Sequence, residues 1–373
     1  MPAQYDVAVI GGGPAGLATA IEAQRRGLRT AVLDGRQPPI DKACGEGLMP
    51  DAVERLRRLG VAIAADGRAL FRGIEFSDDC NCASARFPSG EGWGVRRTTL
   101  QALLAEGAKE AGVDLLWNTP VRGMEGHKVI CRDFTIEARW IIGADGLQSQ
   151  VRRWAGLDRY FFNLERVALR QHFAIAPSSA YVQVLWAEAG QCYITPVGAT
   201  EISVAVITKK SGGDYRKLLS CFPPLEERLP ASAATSSVRG SLTASRRLRR
   251  VCSGHVGLVG DASGSVDAIT GEGICIALEQ AEAIAESIRA GDLEGYNRRH
   301  PAIMRRARLM ATVLSTMNKH HHLRRSILAG LAQDPQLFER MLSFHLGASG
   351  LRSVGLLASV RLGTRLLGLR WAV

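Results

Sequence analysis

The chain has 373 residues, long enough for two domains or one large split domain. Hydrophobic residues make up 46% and charged residues 22%, ordinary for a globular protein, and the absence of any run of about 18 apolar residues argues against a membrane-spanning helix. The formal charge of +11 is uneven: residues 301–373 hold eleven Lys and Arg against Asp334 and Glu339, yet no aromatics interleave with them, so nucleic acid is excluded as the expected partner.

Tyr5 to Ile10 opens the pattern, with apolar β-branched Val7, Val9 and Ile10 predicting a strand buried on both faces. Gly11, Gly13 and Gly16 follow in G-x-G-x-x-G spacing, with Pro14 and Ala15 between, and the run continues as a helix to Arg26. Gly11 allows a tight turn, Gly13 lets a pyrophosphate reach the backbone, and Gly16 lets the helix pack on the strand. Pro14 suits the first helical turn, where its missing N–H costs nothing. The helix N-terminus then faces a phosphate with free N–H groups and a positive dipole end. A second strand, 29–33, ends at Asp34, where a carboxylate is placed to accept from a ribose hydroxyl. Strand, glycines, helix, strand and acid in this order predict a dinucleotide site.

Residues 41–47 (Asp-Lys-Ala-Cys-Gly-Glu-Gly) form a loop, and a helix runs from Asp51 to Leu59 with Gly60 as its stop. Residues 71–94 alternate and carry Gly and Pro, predicting two or three antiparallel strands that leave the first domain. A helix over 99–111 and a strand over 113–117 return to it, and residues 134–142 lead into Gly143-Ala-Asp-Gly146. Between about 160 and 250 the texture changes to period-2 strands at 167–173, 181–186, 192–195 and 202–208, an antiparallel sheet with one face free to cover a ligand. Residues 256–261 form another buried strand. Gly271 opens a long helix to Ala290, and helices without internal repeats follow.

The fold class predicted is therefore α/β: a doubly wound, Rossmann-like dinucleotide domain with an inserted antiparallel β-sheet substrate domain and a C-terminal helical region. The boundaries read as 1–72, 95–158 and 246–300 for the first, 73–94 and 159–245 for the second, and 301–373 for the third. Eight scattered cysteines without a C-x-x-C pair read as reduced thiols, not a disulfide frame or a metal site. No secretory leader is evident. A cytoplasmic protein is expected. Its basic C-terminal region offers either a solvated face or a peripheral contact with an anionic membrane surface, the inner face included.

Three further motifs sit at strand ends, where open α/β sheets bind ligands: Gly143-Ala-Asp-Gly-Leu-Gln-Ser-Gln-Val-Arg152, Gly260-Asp261 and Thr270-Gly-Glu-Gly273. With the first glycine motif and Asp34, they make the chain resemble FAD-dependent oxidoreductases of the p-hydroxybenzoate hydroxylase fold, which include aromatic-ring monooxygenases and geranylgeranyl reductases. The resemblance covers residues 5 to about 290. It implies FAD as cofactor and NAD(P)H as a transient reductant, since no second G-x-G-x-x-G is present. The implied cofactor contacts are Gly11, Gly13, Pro14, Ala15, Gly16, Asp34, Cys44, Gly45, Arg97, Val121, Asp145, Asp261, Gly271, Glu272, Gly273 and Ile274. Within that set Asp34 takes the adenosine ribose, Arg97 the phosphate–ribitol region, Asp145 braces a flavin-side loop and Asp261 holds ribitol hydroxyls. Gly271 to Gly273 aim backbone N–H groups at the flavin pyrimidine ring, with Glu272 as an acid complementing the helix dipole.

The loop holding Cys44 looks like the prenyl reductase loop that places a cysteine beside the flavin. The thiol is either a proton donor to carbon or an unreactive neighbour of the ring. Tyr193 and Pro196 match an aromatic-rich segment of those reductases, but Gln191 and Thr195 stand where aromatics are usual. A halogenase lysine has no counterpart after Gly16. His172 or Tyr193 on the substrate face could deprotonate a phenol. His320 to His322 reads as surface, without a metal.

The favoured expectation is a monooxygenase hydroxylating an apolar or phenolic, lipid-like or polyketide substrate with NAD(P)H and O2, with Cys44, His172 and Tyr193 as the catalytic candidates. The alternatives are a geranylgeranyl reductase-like enzyme with Cys44 as proton donor, and a flavin-binding protein without turnover. Oligomeric state is not encoded in any motif read here.

Overall fold

A computed structural model describes residues 3–209 and 213–350. The strand Ala3–Ile10 lies inside a sheet, parallel to Thr30–Leu33 on one side and to Thr135–Gly143 on the other. Asp114–Leu116 and Val256–Leu258 extend the parallel set outward. Val7, Val9, Val32, Ile141 and Ile142 are fully buried, as a sheet with helices on both faces demands. The helix Pro14–Arg25 is wedged between Arg97–Glu110 and Gly273–Arg289, completing a doubly wound unit.

A second sheet has seven strands in the order Arg239–Leu248, Tyr160–Phe173, Glu201–Lys209, Gly190–Gly198, Val182–Ala187, Gly73–Ser77 and Cys82–Arg86. The period-2 pattern predicts this sheet, with one difference. Val182–Ala187 and Gly73–Ser77 run parallel, because the chain crosses back through the first unit between them. A three-stranded sheet of Gly47–Leu48, Gly92–Gly94 and Ala69–Phe71 was read as part of the alternating 71–94 stretch and the preceding loop. It fixes the end of the cysteine loop against the second sheet, where a Cβ on Gly94 would sit 1.5 Å from the Pro196 carbonyl oxygen.

The C-terminal region folds as the helices Leu293–Lys319, His321–Gln333 and Pro335–His345. Its basic residues mask a packed face. Leu314, Met317, Ile327, Leu328, Leu331, Phe338 and Leu342 join Ala83, Ala85, Phe76 and Trp186 of the second sheet in one apolar cluster. The region thus reads as part of the core as far as residue 350. Arg352, Arg361, Arg365 and Arg370, four of its eleven basic residues, lie outside the described residues.

Arg152 shows how the motif loops are tied together. Its buried guanidinium reaches Asp158 at 2.7 Å and donates to the carbonyls of Leu147 and Ala262 at 2.9 and 3.1 Å, while Ser149 caps its helix. Removing it leaves the Ala262 carbonyl without that donor and a void in the interior, whereas Leu147 keeps Arg246 and exposed Asp158 keeps Tyr160. Arg152→Ala is expected to lower unfolding free energy by about 2 kcal/mol in denaturant titration.

Candidate functional site

The glycines of the first motif divide by what a Cβ would meet. At Gly11 (φ +115°) it would sit 2.4 Å from the Ala144 carbonyl oxygen, and at Gly16 1.9 Å from that of Gly11. Those two glycines serve the fold. At Gly13 the nearest atom is Arg97 Nη2 at 3.8 Å, so the space above it is open. Asp34 closes the turn, accepting from Gly12 N and Arg36 N, each at 2.8 Å.

These residues border one continuous cavity of about 870 Å³, whose wall also includes Pro14, Ala15, Cys44, Gly45, Val121, Gly271, Gly273 and Ile274. Gly16 supports it from behind. Arg97 presents its guanidinium there with Nε buried and unpartnered among the described residues. Burial pushes that group's pKa down, so an anion beside Gly13 would relieve it. Asp145 holds the start of the Gln150–Trp154 helix through Oδ2, while its buried Oδ1 has no partner among the described residues. Asp261 meets Lys42 Nζ at 2.9 Å, and that ammonium holds its carboxyl below the usual range. A cation aimed at an open glycine, carboxylates at the strand ends and an unpartnered acceptor fit a dinucleotide.

The cysteine loop is bolted down on three sides. Asp41 pairs with Arg170 at 2.5 Å and Arg239 at 3.3 Å, and Lys42 pairs with Asp261. Glu46, fully enclosed and at φ +59°, is the third anchor. Its carboxylate accepts from Arg97 N at 2.8 Å and meets His172 Nε2 at 2.6 Å, while its carbonyl accepts from Val95 N. Sequence reasoning missed Glu46. The signal available was an acid flanked by two glycines and followed by apolar Leu48. Cys44 stands half-buried between these anchors, its Sγ accepting from Glu46 N at 3.4 Å.

His172 is buried with both ring nitrogens engaged. Nδ1 lies 3.0 Å from Arg170 Nη1 and 3.0 Å from Ser236 Oγ. Arginine can only donate, so Nδ1 carries the lone pair and Nε2–H donates to Glu46. Tyr193 lines the cavity, donates its hydroxyl to the Ile269 carbonyl at 2.6 Å, and is pushed to a higher pKa by burial.

Glu272 stands buried at the N-cap of the helix Gly273–Arg289. Burial, reinforced by the charge of Asp51, lifts its carboxyl well above the usual range. Its Oε2 lies 3.5 Å from Nδ1 of buried His345, which lines the cavity and donates through Nε2 to the Thr270 carbonyl at 3.2 Å. Burial pushes the imidazole down to about 4. The two buried groups face each other, and the Nε2 bond of His345 links the last described helix to the Thr270–Gly273 turn. His345 has no sequence motif around it.

Away from the glycines the cavity wall turns apolar. Phe71, Phe76, Val184 and Ile207 come from the sheets, and Met310, Leu314, Leu331 and Phe338 from the C-terminal helices. Gln191 does not face this space; it accepts from Arg166 at 2.5 Å and donates to Asn318, clamping the long helix to the sheet. Thr195 does line it. Among the described residues, no group of three His, Cys, Asp or Glu is arranged to hold a metal ion.

Comparison with known proteins agrees with this geometry. The family described as FAD binding domain matches residues 4–291. The menaquinone reductase of Mycolicibacterium smegmatis is 29% identical over 334 residues, 82% of this chain and 81% of that protein. The digeranylgeranylglycerophospholipid reductase of Methanosarcina mazei is 26% identical, over 79% of this chain and 78% of the other. A flavoprotein/dehydrogenase from Cytophaga hutchinsonii has the same fold, with a TM-score of 0.84 at 20% identity over 98% of this chain and all of that one.

Two outcomes follow from the geometry. Gly13→Val has room to fold but fills the space in front of Arg97, so the purified variant is expected to be folded by circular dichroism and colourless; Gly16→Val is expected not to fold. Glu272 binds its proton more tightly folded than unfolded, so its burial costs stability progressively as pH rises above the ordinary carboxylate range. Glu272→Gln removes that cost, and its melting temperature is expected to exceed that of the parent by a margin that is larger at pH 8 than at pH 5.

Proposed function

Because the chain belongs to the FAD binding domain family, we propose that this FAD-dependent oxidoreductase saturates carbon–carbon double bonds of a prenyl chain. The observation that carries the reading is the place of Cys44. It borders the same cavity as the glycine motif and the apolar wall, on a loop anchored by Asp41, Lys42 and Glu46.

Held by Gly13, Arg97 and Asp261, FAD would supply a hydride equivalent, with NAD(P)H as its transient reductant. Saturating an alkene needs one proton as well, delivered to the neighbouring carbon, and the Cys44 thiol carries one. The apolar wall formed by Phe71, Phe76, Met310 and Leu331 excludes water and aligns a chain that offers no polar handles. Lys42 and Arg97 fix the loop and the anion-binding end, so the thiol does not drift from the reacting carbon. The reductase names of the two relatives support the same reading.

Hydroxylation of a phenol, the expectation favoured by sequence, needs a base that faces the substrate. His172 has no free lone pair, and Tyr193 spends its proton on a backbone carbonyl. That weighs against the oxygenase reading, and the decisive test runs without oxygen. The enzyme is reduced anaerobically with NADH or NADPH and mixed with menaquinone or geranylgeranyl lipids. Reoxidation of the flavin with a product that stays heavier by two hydrogens after any quinol has been re-oxidised in air supports the reductase. Product formed only with oxygen, and heavier by one oxygen atom, overturns it. Cys44→Ser is expected to keep its FAD and lose about 100-fold or more in double-bond reduction.

A further inference from the structure

One face of the molecule is neither core nor cavity. The outer end of the strand Tyr160–Phe173 leaves Phe161 62% exposed and Phe162 53% exposed, with Leu164 exposed beyond them. Arg247 and Arg249, on the adjoining edge strand and just past its end, stand 5.3 and 5.2 Å from the Phe161 ring centroid. Exposed Leu309 and half-buried Arg308 come from the long C-terminal helix, where burial, with the nearby charge of Arg247, pushes the Arg308 guanidinium down to about 10. The local carboxylates are already taken: Asp158 by Arg152 and Tyr160, Glu165 by Arg246, and Glu294 by Arg250. Among the described residues Arg247, Arg249 and Arg308 form no ion pair.

We propose that this aromatic and arginine-rich face docks the protein on an anionic lipid surface. Exposed phenylalanines seat at the boundary of headgroups and acyl chains, and arginine guanidinia bind lipid phosphates. The same edge strand lines the cavity through Ser241, Leu242, Thr243 and Ala244, so the docked face and the cavity wall are one ribbon. A second copy of the chain fits poorly, because a two-fold contact would set these arginines against themselves. The docking requires no particular reaction at the flavin, so it stands or falls separately from the reductase reading.

Flotation with vesicles tests it, using the full-length holoenzyme with phosphatidylcholine alone and with an equal mixture of phosphatidylcholine and phosphatidylglycerol. Phe161→Ser with Phe162→Ser, and Arg247→Gln with Arg249→Gln, are surface changes whose fold is checked by bound FAD and circular dichroism. The expected result is salt-sensitive flotation with the mixed vesicles only, and a partition coefficient about tenfold or more lower in each double variant. Absence of flotation overturns the proposal. Flotation unchanged in both variants also overturns it and moves the contact to another segment. So does a dimer, detected by light scattering without lipid, that the phenylalanine variant dissociates.

Discussion

A buried carboxylate must have hydrogen-bond partners, and Glu46 obtains them from two distant parts of the chain. His172 comes from the second sheet and Arg97 N from the start of a helix in the first unit, while Val95 N, just past the strand Gly92–Gly94, holds the Glu46 backbone carbonyl. Its backbone sits in the left-handed region, which costs a non-glycine residue about 1–2 kcal/mol. The surrounding bonds over-determine that conformation. The consequence is that the cysteine loop has one position, defined relative to both sheets at once, and Cys44 inherits it.

The second dependence runs through the C-terminal helices. They close the apolar half of the cavity, so the substrate compartment is a joint product of a sheet and a helical layer distant in sequence. Two polar clamps hold the layers in register. Gln191 and Arg166 grip Asn318 and Asp267 at one end, and His345 grips the Thr270 carbonyl at the other. Gln191, which looked like a missing aromatic in a tunnel lining, is instead a structural bond between layers.

Much of the cofactor half was legible, because it rests on local rules. Glycine spacing, strand-end carboxylates and a proline at a helix start each work within a few residues, and Gly11, Gly13, Asp34, Asp145 and Asp261 all line the one cavity. The substrate half was harder to read because its geometry is made by long-range contacts. Glu46 and His172 meet across 126 residues, and Glu272 and His345 across 73. The parallel pairing of Gly73–Ser77 with Val182–Ala187 likewise depends on a crossover that period-2 alternation does not encode. In the C-terminal region the density of arginine hid an apolar face, since long basic side chains share turns with Leu314, Met317 and Leu331.

Four methionines, Met49, Met310, Met317 and Met341, border the cavity. Unbranched thioether side chains change shape by rotating bonds, without moving the backbone that carries them. At these four positions the wall can yield to its contents, while Ile74, Val184, Ile207 and Ile327 beside them keep a fixed outline. The container is compliant in places, and its reactive edge is not.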